Sequence, residues 1–334
     1  MIQPVRVRAE NWGRIVYDVE VDEFEGHVLD GVSDTSITRP ISAGCLVTGK
    51  CDLKCPHCYG NDEELPKEEL TILHWKEIFA RLRSWGLMRV DLSGGEPTLR
   101  SDLPHIAQAA IDVGLNVVIS TNGRRLSEIG PGDFPKVRWH VSLDSGFAEI
   151  HEGNRLLRSL QSSDGSFQRT SKFIEKCRDH ALIVRVLTCI RHYNSDGLFA
   201  LGEHLATLGV QEWNISRILR AGRAQIDYDR IFTASDDYIL EQVHDLRNAF
   251  PFIRIRYSNR TYQNGYFLLV LPDGTLATQY TDGRDKVVLG SALNCRLEEL
   301  QIHPDFHIDE HGEKWIFANL HSQPFDLSDR LQYV

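Results

Sequence analysis

Three cysteines within one short stretch restrict what this chain can fold into more than any other feature. Cys51, Cys55 and Cys58 are spaced four and three residues apart, so a tight loop can turn all three thiolates toward one point. Such a set suits a cubane iron-sulfur cluster, whose fourth iron would stay open. The alternative is a zinc loop that also uses His57, although structural zinc sites usually close with four protein ligands. The spacing therefore favours a [4Fe-4S] cluster with one open iron.

Composition describes an ordinary globular protein of 334 residues, with 42% hydrophobic and 25% charged residues. A net charge of −10 argues against broad nucleic-acid binding, which depends on many basic side chains. No run approaches the roughly 18 apolar residues of a membrane span, and the first residues carry no signal pattern. Seven cysteines, an odd number, fit a reducing compartment. These features predict a cytoplasmic protein that acts on neither membranes nor bulk nucleic acid.

The order of predicted elements divides the chain into three parts. Residues 1–37 alternate apolar and polar positions, which predicts a β-hairpin or small sheet. Residues 38–224 alternate strands with helices in six units, and the first of these helices is predicted from 67 to 85. Six units are too few for a closed eight-fold barrel. In residues 225–334, Ser235 caps a predicted helix to about residue 250. Short strands are predicted at 253–257, 266–271, 275–279 and 287–289, with a turn at 272–274. The fold class is therefore α/β, with a small α+β extension at the C-terminal side.

Polar residues follow three predicted strands of the α/β region. They occupy Ser93-Gly94-Gly95-Glu96-Pro97, Ser120-Thr121-Asn122-Gly123 and His140-Val141-Ser142-Leu143-Asp144. Parallel sheets and barrels bind ligands at the carboxyl ends of their strands. Glycines allow a close backbone approach, and a carboxylate can accept hydrogen bonds from an ammonium group. Ordinary turn chemistry explains each segment taken alone.

The cysteine loop, directly followed by Tyr59, and the Gly-Gly-Glu-Pro segment after the next strand resemble the radical SAM enzymes. The resemblance covers residues 38–224 and implies an open, TIM-like (β/α)6 partial barrel. It also implies a [4Fe-4S] cluster and S-adenosylmethionine (SAM) as cofactors. In such enzymes the reduced cluster cleaves SAM, and the resulting 5′-deoxyadenosyl radical abstracts a hydrogen from the substrate.

The same resemblance implies roles for individual residues. The cysteines would bind three irons, and Glu96 would hold the methionyl amino group of SAM. Arg155, in a His-x3-Arg segment, would reach the SAM carboxylate, and Tyr59 would pack on the adenine or shield the cluster. The full set of implied SAM contacts is Tyr59, Gly94, Gly95, Glu96, Ser120, Asn122, Ser142, Asp144 and Arg155.

Segments near both ends of the chain give information about the substrate class. The segment from Arg8 to Asp18 resembles the N-terminal lead-in of radical SAM enzymes that modify ribosomally made peptides. Residues 271–275 and 288–291 are similar to the hairpin of SPASM and Twitch extensions, which carry auxiliary clusters. Because Cys295 is the only cysteine after residue 224, we expect no auxiliary cluster here.

An arginine-rich segment follows the sixth strand and resembles the Gly-Arg-Ala segment of SPASM-type enzymes. Arg217, Arg220 and Arg223 could bind a peptide carboxylate or a triphosphate, or form a solvated basic rim.

Three functional hypotheses follow from these features. The leading one is maturation of a ribosomally synthesised peptide. The alternative is an enzyme similar to viperin, acting on a nucleotide or another small molecule. A non-catalytic iron-sulfur scaffold is disfavoured by Glu96 and the polar strand ends. The resemblance also implies an electron donor of the flavodoxin or ferredoxin type and a leader-peptide-binding protein as partners.

Overall fold

The structure is a computed structural model of the full chain. It describes residues 5–32, 37–60, 63–125, 130–134, 137–156, 165–191, 194–226, 228–231, 235–258, 268–280 and 284–306. The predicted strand from 266 to 271 therefore has its first two residues outside this part of the chain, as does the stretch 307–334 of the predicted extension.

The strands and helices follow one another from the N-terminal sheet to the last helix. The strands are β1 (Val5–Glu10), β2 (Gly13–Asp18), β3 (Glu23–Val28), β4 (Ser42–Thr48), β5 (Arg89–Gly94), β6 (Asn116–Thr121), β7 (Arg138–Ser142), β8 (Val184–Ile190), β9 (Glu212–Arg217), β10 (Arg254–Ser258), β11 (Leu268–Val270), β12 (Thr275–Thr278) and β13 (Val287–Ser291). The helices are α1 (Ile72–Ser84), α2 (Leu103–Asp112), α3 (Ala148–Asn154), α4 (Ser166–Asp179), α5 (Leu198–Leu208), α6 (Tyr228–Ile231), α7 (Asp236–Ala249) and α8 (Leu297–Gln301).

The N-terminal strands form a small antiparallel sheet in the order β1-β2-β3, as the alternating pattern predicts. One face of this sheet buries Trp12, Ile15, Tyr17 and Phe24 in the main hydrophobic core. The rings of Tyr17 and Phe24 stack at 4.5 Å between centroids. Burial of these apolar side chains holds the small sheet against the rest of the chain.

The main sheet has the order β10-β9-β8-β7-β6-β5-β4-β11-β12-β13 over the described residues. Strands β4 to β10 are parallel, and β4 is buried along its whole length, as expected where helices cover a parallel sheet. Helix α1 shows the packing, because Trp75, Ile78, Phe79 and Leu82 form its buried face. The predicted α/β architecture with a parallel sheet is confirmed.

Two features of the sheet differ from the six predicted units. Between β6 and β7, the described residues contain one 3-10 turn, Pro131–Asp133, and no α-helix. Strand β10 pairs in parallel with β9, and β11 pairs in parallel with β4. Strands from beyond residue 224 thus join both sides of the sheet, a long-range pairing that local patterns do not encode. The division of the chain into domains at 224 stays a prediction.

Local turn chemistry accounts for several element boundaries. Ser235 caps α7 as predicted, with its Oγ accepting from the Tyr238 N–H. Gly274, at a φ of +86°, closes the predicted turn between β11 and β12. Helix α1 begins at Ile72 rather than at the predicted Lys67, because Leu70 N donates to the Pro272 carbonyl instead of entering the helix.

The amino-terminal ends of the parallel strands, which we call the lower end of the barrel, are closed by a buried ion network. Asp22, in the turn between β2 and β3, accepts from the Tyr17 hydroxyl at 2.6 Å and from Arg185 Nη1 at 2.9 Å. It also lies 3.1 Å from Arg89 Nη1. Burial alone would raise the pKa of Asp22, but Arg89, His140 and Arg185 hold it well below its usual range.

A second carboxylate extends this network. Glu212 binds Arg138 at 2.8 Å and Arg185 at 2.9 Å, and Arg138 and Arg185 also donate to backbone carbonyls between β2 and β3. The N-terminal sheet is therefore joined to the barrel by charges as well as by its apolar face. In the part of the chain described here, no helix is both long enough and apolar enough to cross a bilayer.

Candidate active site

The cysteine loop follows β4 at the carboxyl ends of the parallel strands, which we call the upper end. Cys55 is buried, while Cys51 and Cys58 are half-buried. Burial raises the pKa of the Cys51 thiol and raises that of Cys55 to about 12. A thiolate in such surroundings needs a cation beside it, and metal coordination supplies one. The donor set and its burial therefore fit an iron-bound loop.

A shared single-ion site has no support in the described residues. No three His, Cys, Asp or Glu side chains there are placed to hold one metal ion together. A cubane cluster instead offers a separate iron to each thiolate, so the three sulfurs need not converge on one centre. The loop thus fits the cluster better than the zinc alternative.

Gly94 and Gly95 bring the end of β5 against the backbone before Cys51. A Cβ at Gly94 would overlap the Thr48 carbonyl, and one at Gly95 would overlap the Lys50 carbonyl. Gly95 N donates to Thr48 O at 2.9 Å, and Glu96 N donates to Lys50 O at 2.8 Å. The two glycines therefore permit contact between the turn and the cysteine loop, where the sequence suggested approach to a ligand.

The carboxylate of Glu96 is buried and accepts four hydrogen bonds from the protein. Its Oε1 accepts from Thr98 N at 3.1 Å and from the hydroxyls of Thr98 and Thr121, both at 2.6 Å. Its Oε2 accepts from Asn122 N at 2.7 Å. Burial raises the pKa of Glu96, and the hydrogen bonds oppose that rise. Glu96 thus ties the end of β5 to the end of β6.

Asn122 links β6 to the cysteine loop itself. Its Nδ2 donates to Asp52 Oδ1 at 2.9 Å, and its Oδ1 accepts from Arg124 N at 3.0 Å. Arg124 forms a close ion pair with Asp52. Asp52 directly follows Cys51, so this pair holds the first cysteine in place.

Asp144, at the end of β7, is the centre of a second buried group. Its carboxylate accepts from Arg155 Nε at 2.8 Å and from Cys189 N at 3.2 Å, and lies 3.6 Å from His57 Nε2. Burial alone would raise the pKa of Asp144, but Arg155 and His57 hold it well below the ordinary value. Two residues predicted to contact SAM, Asp144 and Arg155, therefore bind each other.

The remaining predicted SAM residues are spread along the upper end. Ser120 Oγ donates to Asp91 Oδ1 at 2.8 Å, within the sheet. Ser142 is half-buried at the end of β7, and Tyr59 has 41% of its surface exposed beside Cys58.

The three predicted substrate arginines do not form one cluster. Arg217 pairs with Asp236 at 2.8 Å. Arg220 is exposed and lies over the Tyr228 ring, with 5.7 Å between its Cζ and the ring centroid. Arg223 instead contacts the cysteine loop.

Arg223 binds the loop through both backbone and side chain. Its N–H donates to Cys58 O at 2.9 Å, and its Nη1 donates to Cys55 O at 3.0 Å. The preceding Gly222 has a φ of +56°, and a Cβ there would overlap the Tyr59 carbonyl. The Gly-Arg pair therefore packs directly on the cluster loop.

Local sequence patterns do not identify several residues of the site. They indicate His57 only as a possible zinc ligand, whereas in the structure its Nδ1 is buried with no hydrogen-bond partner among the described residues. Asp52 and Arg124 directly follow the motif residues Cys51 and Gly123, which is only a weak signal that they belong to the site. Asp91 has a clearer signal, since it is an acidic residue inside β5, a strand of the parallel sheet.

Comparison with known proteins identifies the class. Residues 45–199 match the family described as the Radical SAM superfamily. This stretch contains the cysteine loop, Glu96, Asp144 and Arg155. The chain therefore carries a radical SAM domain, and enzymes of this superfamily use a [4Fe-4S] cluster and SAM. The predicted enzyme class and cofactors are confirmed.

Individual relatives extend the match beyond this domain. The chain is 26% identical over 305 residues to Fe-coproporphyrin III synthase of Methanosarcina barkeri, covering 85% of this chain and 73% of that protein. It is 23% identical over 245 residues to the antilisterial bacteriocin subtilosin biosynthesis protein AlbA of Bacillus subtilis, covering 70% of this chain. The chain spans 53% of the length of AlbA.

A solved structure shares the fold over most of the chain. Streptococcus suis SuiB, bound to its precursor peptide SuiA, matches with a TM-score of 0.71 at 13% identity. The match covers 91% of this chain and 88% of SuiB. At this identity the likeness shows the fold alone, and it confirms the predicted partial barrel.

Proposed function

We propose that this protein uses one [4Fe-4S] cluster to cleave SAM and abstract a hydrogen from a ribosomally made peptide. The observation that carries the proposal is the attachment of the cysteine loop to three strand ends. Glu96, Asn122 and Asp144 support that loop through buried hydrogen bonds and ion pairs. AlbA takes part in bacteriocin biosynthesis and SuiB binds a precursor peptide, so both support a peptide as substrate.

In this proposal Cys51, Cys55 and Cys58 hold the cluster, which when bound supplies the electron that cleaves SAM. Arg155 and Asp144 neutralise each other beside the loop. Glu96 receives four protein donors, three at Oε1 and one at Oε2, so Oε2 keeps a lone-pair position. In this proposal Glu96 therefore fixes the ends of β5 and β6 and also holds the methionyl amino group of SAM.

The placement of the other cysteines supports a single cluster. Cys45 lies in β4, Cys177 in α4, Cys189 in β8 and Cys295 after β13, so each belongs to a different element. Electrons for the cluster come in this proposal from a flavodoxin- or ferredoxin-type donor, in the cytoplasm.

The test follows the abstracted hydrogen. Reconstituted, reduced enzyme and SAM are incubated with deuterated peptides encoded beside the gene, and 5′-deoxyadenosine is examined for deuterium by mass spectrometry. We expect label from a peptide with the wild type and none with Cys55→Ala. Label from no peptide would contradict the proposal.

A small-molecule substrate is the second candidate. It is favoured by Fe-coproporphyrin III synthase, which matches this chain over a larger share of both proteins than AlbA does. A deuterated iron porphyrin and a deuterated nucleoside triphosphate belong in the same assay. Label from either, without label from a peptide, would replace the peptide proposal with this one.

A further inference from the structure

A cavity of about 720 Å³ lies between the N-terminal sheet and the lower end of the barrel. Residues 5–9 of β1 line one side of it, and Arg39, Arg83, Ser84, Gly86 and Met88 line the other. The mechanism proposed above uses none of these residues.

Strand β1 presents a backbone edge to this cavity. Within the described residues it has a neighbouring strand, β2, on one side only. Ala9 O accepts from Arg39 Nη2 at 3.5 Å, so the Ala9 carbonyl points away from β2. Alternate residues of an antiparallel strand direct their backbone groups the same way, so those of Val7 and Val5 also point outward. Such an edge is a template for an added strand.

The side chains of the edge alternate between two surroundings. Val5 and Val7 are exposed, with 60% of the Val7 surface accessible. Arg6 and Arg8 turn toward the barrel, where Arg6 donates to Gly114 O and Arg8 donates to Pro40 O. An added strand would thus meet apolar side chains on one face and positive charge on the other.

The charge around the cavity is strongly positive, although the whole chain has a net charge of −10. Arg6, Arg8, Arg39 and Arg83 are close together, and Glu10 is the carboxylate paired with two of them, at 2.6 Å from Arg8 and 3.8 Å from Arg39. Burial and the neighbouring Arg83 lower the pKa of Arg6. Since arginines keep their charge, an anionic ligand would relieve this repulsion.

From the free edge, the exposed valines and the four arginines together, we infer that β1 binds an extended, acidic segment of a peptide as an added strand. A peptide is favoured over nucleic acid because the edge offers backbone donors and acceptors, and among the described residues no aromatic side chain lines the cavity for base stacking. The identification of this peptide as the substrate rests on the proposed function.

The proposed binding site on β1 is far from the cysteine loop. Gly86 and Met88 precede β5, whereas the cysteine loop lies at the opposite ends of the strands. A six-residue strand such as β5 spans roughly 20 Å at about 3.3 Å per residue. The bound segment is therefore distinct from the residue that reacts, and at least about six extended residues must connect the two.

The test measures binding of a fluorescein-labelled peptide, acetyl-(Val-Glu)5-amide, by anisotropy. Val7→Pro removes the outward N–H of the edge without removing a bond to β2, and Val7→Thr is the matched control that keeps it. We expect at least tenfold weaker binding for Val7→Pro, a change within twofold for Val7→Thr, and at least tenfold weaker binding of acetyl-(Val-Lys)5-amide to the wild type. Circular dichroism checks that Val7→Pro folds.

A second variant keeps the test decisive if Val7→Pro fails to fold. Arg39→Glu reverses a charge on a half-exposed side chain and should also weaken the acidic probe at least tenfold. The inference would be overturned if either folded variant binds the acidic probe as the wild type does, or if the lysine probe binds equally well. It would also be overturned if oligo-dT displaces the probe, or if cross-linking shows that residues 307–334 of the chain already cover β1.

Failure here and failure of the proposed function give different results. Both variants should cleave SAM at the wild-type rate without peptide, because the site is remote from the cysteine loop. Deuterium transfer from a peptide that binds both variants normally would overturn this site and leave the proposed function intact. Probe binding that follows the expected pattern, without transfer from any peptide, would contradict the proposed function instead.

Discussion

Both ends of the barrel bury carboxylates against arginines, but the structural elements that these carboxylates connect differ between the two ends. At the lower end, Asp22 and Glu212 join the N-terminal sheet to the first residues of the strands. At the upper end, the Glu96 carboxylate joins the ends of β5 and β6, and Asp144 contacts the loop of three thiols through His57. The lower network attaches one sheet to another, whereas the upper one fixes the position of a reactive loop.

This difference assigns separate tasks to chemically similar groups. Removing one partner of a buried ion pair leaves an uncompensated charge, so the lower end should matter mainly for stability. Active sites of barrels lie at the carboxyl ends of their strands, so the upper end should matter mainly for chemistry. The predictions below test that separation.

Asp22→Asn should have the largest effect on stability. It removes the buried carboxylate that contacts both Arg89 and Arg185, which should lower the free energy of unfolding by about 3–5 kcal/mol in urea titration. SAM cleavage per folded molecule should be unchanged. Asp30→Asn, at an exposed position, is the control and should be neutral. A large loss of cleavage by folded Asp22→Asn would remove the distinction between the two ends.

Asp144→Asn should show the opposite pattern. Loss of the charged partner of Arg155 should lower the free energy of unfolding by about 1.5–3 kcal/mol. The 5′-deoxyadenosine yield should fall at least tenfold, because the contact between residue 144 and His57 of the cysteine loop weakens as well. Wild-type yield from this variant would show that Asp144 does not position the cysteine loop.

Gly222→Ala tests the contact between Gly222-Arg223 and the loop. The positive φ and the overlap with the Tyr59 carbonyl should cost about 1–3 kcal/mol and displace the loop. Iron retained after gel filtration should fall with it. Gly153→Ala is the matched control, since its Cβ would meet no atom within 4 Å, and its iron content should match the wild type. Equal iron in both variants would contradict this contact's role.

The pH dependence of stability should reveal His140 at the lower end. Burial lowers the pKa of His140 to about 3, so it is neutral in the folded chain but takes a proton when unfolded below about pH 6.5. Its contribution to stability should fall by about 1.4 kcal/mol per pH unit from about pH 6.5 toward pH 4. His140→Gln should flatten the curve by that amount in this window. An unchanged slope would contradict a neutral His140.

Local sequence patterns are sufficient to predict some parts of the fold and of the site. The spacing of Cys51, Cys55 and Cys58 and the polar strand ends identify the upper end, because parallel strands bring their carboxyl ends together. The cap at Ser235 and the turn at Gly274 likewise depend on neighbouring residues only.

Partners distant in sequence could not be predicted in the same way. The contact of Arg155 with Asp144 and the hydrogen bond from Arg223 to Cys55 O could not be read from the sequence, and the predicted roles of these arginines toward SAM and substrate stay predictions. Which partner each arginine contacts depends on which strand ends become neighbours in the fold. The same applies to β10 and β11, whose places in the sheet follow from pairings with β9 and β4.

The most direct test of the account is to measure iron and SAM cleavage together. Reconstituted wild type should hold about four irons per chain and release 5′-deoxyadenosine on reduction. The triple variant Cys51→Ala, Cys55→Ala, Cys58→Ala should lose both, and Cys177→Ala, in helix α4, should keep both. Retained cleavage by the triple variant, or eight irons in the wild type, would contradict a single catalytic cluster at this loop.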